Sequence, residues 1–250
     1  MNWTKVDWKE YDEIYKPKRN VNNHASWKIH HMMGAFYSNK MDVVVEYESF
    51  GELLAYFLFE IDKSILRYYV QPVKIDITTL TETGERKVWS HVPDVLVFRN
   101  GSNPLLYQIK DSKYELPENM DVINNKCIHY ANVNGWSYSI VYPKDMPNII
   151  SKNIKLISSR TKKRVYYEDW IPEIIYRLTA EKTQTIIDLA MGFRTKINPS
   201  MIIPIIYYLI SIGVLKVDIS RKVDQFSQVV LNNDENIFDE YFLCEGVLSV

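Results

Sequence analysis

Cysteine is scarce in this chain. Cys127 and Cys244 are the only two among 250 residues, which gives no disulfide framework and no zinc-ligand spacing, and points to a reducing compartment. Net charge is nearly absent as well. The formal balance is −1, so no bulk basicity advertises a nucleic-acid partner, and only the distribution of charge is informative. Long apolar runs are missing too. The uncharged stretch 201–215 is too short to span a bilayer and contains Pro204, so it predicts a buried helix rather than a membrane segment. Near the start stand Trp3, Lys5, Asp7 and Trp8 where a signal peptide would have its apolar core. There is no internal repeat and no low-complexity tract. The expectation is a cytoplasmic protein with no membrane partner.

What the chain does have is 46% hydrophobic and 13% aromatic residues, enough to bury one large core or two modest ones. Its charge is segregated. Residues 152–164 carry Lys152, Lys155, Arg160, Lys162, Lys163 and Arg164 with no acid among them. Residues 232–250 carry Asp234, Glu235, Asp239, Glu240 and Glu245 with no Lys or Arg. The first forty residues lack steady periodicity and mix Trp3, Trp8 and Trp27 with Lys16, Lys18, Arg19, Lys28, His30 and His31. This reads either as an arm for a DNA backbone or partner, or as a loosely packed extension.

From there the pattern alternates. A short strand over 43–45 precedes a helix over 49–62, apolar nearly all round and therefore expected to be buried by a sheet. Residues 68–80 are β-rich, with a turn at 82–85. Two apolar strands follow, 92–98 and 105–110. A helix over 117–134 shows Met120, Ile123, Cys127 and Tyr130 on one stripe and ends at Gly135. A strand over 136–142 comes next, and 154–157 is read as one more. Helix, three strands, helix, strand describe an α/β core with a mixed sheet. Beyond the basic stretch, helices are expected over 170–180, 183–192 and 199–212, the last with Asn198 as N-cap and Gly213 past its end. A hairpin over 214–220 and 226–231 completes what reads as a winged helix. The division is an arm over 1–40, an α/β domain over 41–165 and a winged-helix-like domain over 166–250.

The chemistry concentrates in the hairpin. Strand side chains alternate, so Gln108 and Lys110 share a face, and Asp94 lies opposite that end of the second strand. A carboxylate, an amide oxygen and an ammonium on one patch suit phosphodiester hydrolysis: the carboxylate holds a hard divalent cation, and the ammonium orients water and offsets charge on phosphorus. A third ligand is available at Glu52, although Ser49-Phe50-Gly51-Glu52 equally fits a capping box. Glu46, Glu48 and Glu60 are further nearby acids.

The series Gly34–Lys40, Tyr47-Glu48-Ser49-Phe50-Gly51-Glu52, Val70-Gln71-Pro72, Val92-Pro93-Asp94 and Gln108-Ile109-Lys110 resembles the TnsA endonucleases of heteromeric transposases. The likeness runs over residues 30–142, and Asn134-Gly135-Trp136 also looks like that family. It implies a restriction-endonuclease-like, PD-(D/E)XK fold, a winged-helix-like C-terminal domain and a Mg2+-dependent nuclease in which Mn2+ substitutes. Matched residue by residue, Glu52 takes the place of the helix carboxylate and Asp94 that of the central metal-binding aspartate. Gln108 and Lys110 take the final pair, with the Ile109 carbonyl as a further ligand. Gln108 stands where the wider superfamily has an acid, and the TnsA family uses glutamine there. Gly51 departs toward a smaller residue than is usual. The resemblance also implies cleavage of double-stranded DNA at the 5′ ends of a bacterial transposon, with a TnsB-like transposase and a TnsC-like AAA+ ATPase as partners. The basic residues 152–164 are expected to track DNA phosphates. A stand-alone restriction or repair nuclease and a non-catalytic adaptor are the rival readings.

Overall fold

A computed structural model describes residues 3, 6–19, 33–80, 84–111, 119–233 and 237–245. Trp27, Lys28, His30, His31, the turn residues Glu82 and Thr83, the expected helix start at Pro117, and Asp234 and Glu235 lie outside them.

The arm opens with helix α1 (Lys9–Ile14). Far from being loosely packed, its described part docks on the chain's own sheet. Trp3, Trp8, Tyr11 and Tyr15 surround Phe98, with ring centroids 5.0, 5.3, 5.4 and 6.3 Å away. Strands β1 (Gly34–Ser38) and β2 (Val43–Tyr47) then form an antiparallel hairpin; the sequence pattern suggests only the second. Helix α2 (Phe50–Ile61) follows with Ser49 as its N-cap. Residues 51–60 are all buried, as the all-round apolar pattern requires.

Strand β3 (Ile65–Val70) leads through Gln71-Pro72 into the two-stranded ribbon of β4 (Ile75–Leu80) and β5 (Arg86–His91). The break lies at Gln71, whose backbone is left-handed at φ 50°, followed by a proline without an N–H to continue a ladder. Strands β6 (Val95–Arg99) and β7 (Leu105–Ile109) make the anticipated antiparallel hairpin, with Val95 opposite Tyr107. Helix α3 (Met120–Val133) ends against Gly135 at φ 69° and returns the chain to β8 (Ser137–Pro143), parallel to β7. This is a mixed α/β arrangement.

Residues 154–157, read from sequence as a strand, belong instead to helix α4 (Asn148–Ser158). Ile150, Ile154 and Ile157 are its buried stripe, a helical spacing that a four-residue window cannot reveal. The second half contains α5 (Ile171–Glu181), β9 (Thr183–Thr185), α6 (Ile186–Met191), α7 (Pro199–Ser211), β10 (Leu215–Val217) and β11 (Gln228–Leu231). Asn198 caps α7 by accepting the Ser200 N–H at 3.0 Å. The expected hairpin is a three-stranded sheet, order β10-β11-β9.

The chain then comes back. Helix α8 (Phe238–Tyr241) stacks Phe238 on Phe59 and Tyr107, and β12 (Phe242–Glu245) pairs antiparallel with β8. The main sheet therefore has the order β12-β8-β7-β6-β3. Helix α2 lies against it, packed between β3 and β8 on one side and α4, α7 and α8 on the other. A Cβ on Gly213 would sit 2.6 Å from the Ile61 Cα, so only glycine lets the end of α7 close on the end of α2. No helix among the described residues is long and apolar enough to cross a membrane.

Candidate active site

Three elements converge at the end of the β6–β7 hairpin. Asp94 lies one residue before β6 and is fixed by its own backbone: its N–H donates to the Tyr107 carbonyl at 3.1 Å and its carbonyl accepts the Gln71 N–H at 2.8 Å. Its side chain turns toward β7, where Oδ2 accepts the Ile109 N–H at 2.6 Å and the Gln108 amide N–H. Gln108 is 2% exposed and Asp94 8%, so these bonds are made away from bulk water. Lys110 follows the last residue of β7, half-buried, with its N–H on the Val141 carbonyl at 3.0 Å. The strand pattern anticipates that Asp94, Gln108 and Lys110 converge: Asp94 and Gln108 are bonded directly, and the Lys110 charge acts on Asp94.

Glu52 comes from the first turn of α2. Both readings of it have substance. Ser49 Oγ accepts the Glu52 N–H at 3.1 Å, and Glu52 Oε2 accepts the Glu48 N–H at 2.8 Å. This is a capping box whose return bond falls one residue ahead of the cap. It uses one carboxylate oxygen only. Among the described residues no donor reaches Glu52 Oε1 or Asp94 Oδ1.

Burial, reinforced by the Asp94 charge, pushes the Glu52 carboxyl well above the ordinary range. Burial likewise raises Asp94, against the Ile109 N–H and the Lys110 and Arg19 charges. A buried acid raised by a neighbouring buried carboxylate is relieved by a proton or a cation between the two.

The donor set fits a hard divalent ion, since each acid keeps one oxygen free, but it is sparse: among the described residues there is no group of three or more His, Cys, Asp or Glu able to hold a metal. Gln108 is arranged differently from what the resemblance implies. Asp94 needs a donor, so it takes the amide nitrogen. The amide oxygen, expected to face a metal, instead lies 2.7 Å from His91 Nε2, which must then carry the proton.

His91, the last residue of β5, is not apparent from sequence. Burial lowers its pKa, against the Gln108 hydrogen bond, and the Lys110 and Arg19 charges lower it further. Only its position three residues before Asp94, across Pro93, could have hinted at it.

The basic stretch divides. All six side chains are exposed, and Lys163 is paired with Glu168 at 2.9 Å. Lys155 and Lys162 line a groove of about 330 Å³ together with Tyr37, Tyr47 and Leu53, the last adjacent to Glu52. The groove sets these two lysines beside α2, against Leu53. Gly51 also acquires a reason. A Cβ there would stand 3.0 Å from Asp111 Oδ1 and 3.2 Å from Ile109 Cγ2 and Pro143 Cγ, so its smallness lets the turn after Lys110 close on α2.

No protein-family model matches this chain, and no curated protein is significantly similar to it.

Proposed function

We propose that this chain is a Mg2+-dependent DNA endonuclease of the TnsA kind, with a restriction-endonuclease-like core and a winged-helix-like unit formed by α5, α6, α7 and the β9–β11 sheet. The observation that carries this reading is the pairing of Glu52 and Asp94. They are two buried carboxylates, each held by one backbone-anchored oxygen and each, among the described residues, with no donor on the other, with the Lys110 charge acting on Asp94. Bound there, Mg2+ would supply Lewis acidity toward a phosphoryl oxygen and a more acidic water.

The chain's own residues do the rest. Glu52 Oε1 and Asp94 Oδ1 would hold the ion, aided by the Ile109 carbonyl. Lys110 Nζ orients the attacking water and balances charge growing on phosphorus. Gln108 braces Asp94 through its nitrogen, and its oxygen would join the ligand set only after the amide exchanges partners with His91. The site is one carboxylate short of the superfamily norm, so metal and DNA affinity would depend on partners completing it. Those partners would be transposon-end DNA, a TnsB-like transposase and a TnsC-like ATPase. Lys155 and Lys162 would follow the DNA backbone beside α2.

The test is cleavage of transposon-end duplex in Mg2+ or chelator, with and without the two partner proteins. Cutting at the 5′ ends only when both partners are present is expected. Cutting by the chain alone would reassign it to a stand-alone nuclease. Full cleavage by the assembled system carrying Asp94→Ala would leave the chain an adaptor.

A further inference from the structure

The N-terminal arm delivers a charge to this site. Trp3 Nε1–H donates to the Ser102 carbonyl at 2.8 Å, Asp12 accepts the Tyr69 hydroxyl at 2.8 Å, and Asp12 pairs with Arg67 at 3.0 Å. Past α1 the chain continues to Lys18, whose N–H donates to the Gln71 carbonyl at 2.9 Å. Gln71 gives its own N–H to the Asp94 carbonyl at 2.8 Å.

Gln71 makes both bonds from a left-handed backbone at φ 50° while 5% exposed. That conformation costs roughly 1–2 kcal/mol for a residue with a Cβ, and such outliers collect at functional sites. Arg19 is the next residue after Lys18. Its guanidinium pairs with the carboxylate of Glu48, the same residue whose N–H holds Glu52. It acts electrostatically on Glu52, Asp94 and His91. The two buried acids therefore have cationic groups from two separate parts of the chain: Lys110 from the end of β7 and Arg19 from the arm.

We propose that Arg19 is a phosphate-binding residue of this site, carried in by the N-terminal arm, and that its pairing with Glu48 is the DNA-free arrangement. This rests on the nuclease reading above. A half-exposed ion pair is worth only about 0–1 kcal/mol, too little to explain an arm anchored by four aromatic rings and a strained Gln71. The half-exposed Arg19 guanidinium can exchange the Glu48 carboxylate for a phosphate, which it can grip with two parallel N–H donors. Duplex DNA is the occupant because two buried carboxylates with the Lys110 and Arg19 charges acting on them suit a metal-bridged phosphodiester, and because the exposed Lys155 and Lys162 add positive charge along a groove beside α2.

The experiment is anisotropy of a labelled duplex with the full chain in Ca2+, over a salt series. Arg19→Ala should weaken binding about tenfold and reduce the salt slope by about one, and Arg19→Lys should keep the slope while losing part of the affinity. Glu48→Gln should tighten binding by releasing Arg19. Thermal melts and tryptophan fluorescence show whether the arm stays docked; if Arg19→Ala loosens it, Arg19→Gln is compared instead. If Arg19→Ala combined with Glu48→Gln binds like wild type, Arg19 merely neutralises Glu48 and the proposal is wrong. An unchanged slope in Arg19→Ala overturns it equally. A wild-type chain that binds no duplex, either alone or with the two partner proteins, removes the nuclease reading and this proposal together, whereas the variants judge Arg19 alone.

Discussion

Helix α2 carries a buried glutamate at each end, and they are opposites. Glu60, 2% exposed, is saturated. Its Oε1 accepts the Ser38 and Tyr68 hydroxyls, the latter at 2.7 Å, and its Oε2 accepts the N–H groups of Asn39 and Lys40 at 3.1 and 3.4 Å. The Lys40 ammonium then donates to the carbonyls of Phe59, Asp62 and Ile65, closing the helix C-terminus. Burial lowers the pKa of that ammonium to about 8, yet three carbonyls, two of them at the helix C-terminus, favour its charge. Glu52 has one backbone N–H and faces another acid. Burial alone therefore says little about function; unused bonding capacity beside a like charge says more. One end of α2 is architecture, and it fixes the other end as a site.

The largest effects should follow from the open end. Glu52→Ala, Asp94→Ala and Lys110→Ala are each expected to lower 5′-strand cleavage by on the order of a hundredfold or more, as loss of one transition-state contact commonly does. The folded fraction should not fall. If Glu52→Ala instead melts early and still cuts, its capping bond was its whole role and the two ends of α2 are alike.

Glu60→Ala should behave in the reverse way. It strands two hydroxyls and two N–H groups in the core, where an unsatisfied buried group costs about 1–3 kcal/mol. Since the hydroxyls can turn to other acceptors, the expected loss is about 3 kcal/mol, or roughly 6–12 °C in Tm for a chain of this size. Calorimetry in chelator measures it. Any cleavage defect should vanish when assayed well below the lowered Tm.

That contrast also explains what was legible in the sequence. Local signals carried through. Ser49 with Glu52, Asn198, and Gly135 and Gly213 past helix ends are chemistry of adjacent residues, and the β6–β7 hairpin follows from alternation around a short loop. Features made by distant segments left no local trace. His91 reaches Gln108 although β5 pairs only with β4. Arg19 reaches Glu48 beside the bend at Gln71, where Pro72 marks a break in the strand but not the segment that docks on it. Strand β12 joins β8 because Phe238 finds Phe59 and Tyr107; its four residues alone do not reveal which edge they cover. That return places residues 242–245 in the main sheet, so the chain after 166 does not all belong with the helical part.

A smaller effect at the open end is its dependence on pH. Glu52 and Asp94 are raised in the folded state, so between the ordinary carboxylate range near ~4 and their raised values the folded chain holds protons that the unfolded chain has released. Stability of the metal-free protein then falls as pH rises through that window. Glu52→Gln removes the penalty and should melt higher than wild type at neutral pH. Each tenfold change in proton affinity that is relieved stabilises by about 1.4 kcal/mol, or about 3–5 °C. Mg2+ should raise the wild-type Tm more at high pH than at low, and leave Glu52→Gln unmoved. A wild-type Tm indifferent to both pH and Mg2+ would mean that the pair is not an electrostatic liability.

Gly51→Ala should be the mildest change, and its sign is the informative part. Alanine in place of glycine in a helix gains about 0.8–1.0 kcal/mol, somewhat less in a first turn. Against that, the new Cβ meets Ile109 Cγ2 and Pro143 Cγ at 3.2 Å and Asp111 Oδ1 at 3.0 Å. Asp111 is exposed and can swing away, whereas Ile109 and Pro143 lie in β7 and β8 and yield by small shifts. The terms offset, and Tm should stay within a few degrees of wild type. The displacement falls on Ile109 and Asp111, which flank Lys110, so cleavage should drop several-fold at unchanged DNA affinity. A stabilised variant cutting at the wild-type rate would mean that the turn after Lys110 tolerates displacement, and that Gly51 serves packing at α2 rather than placement of the lysine.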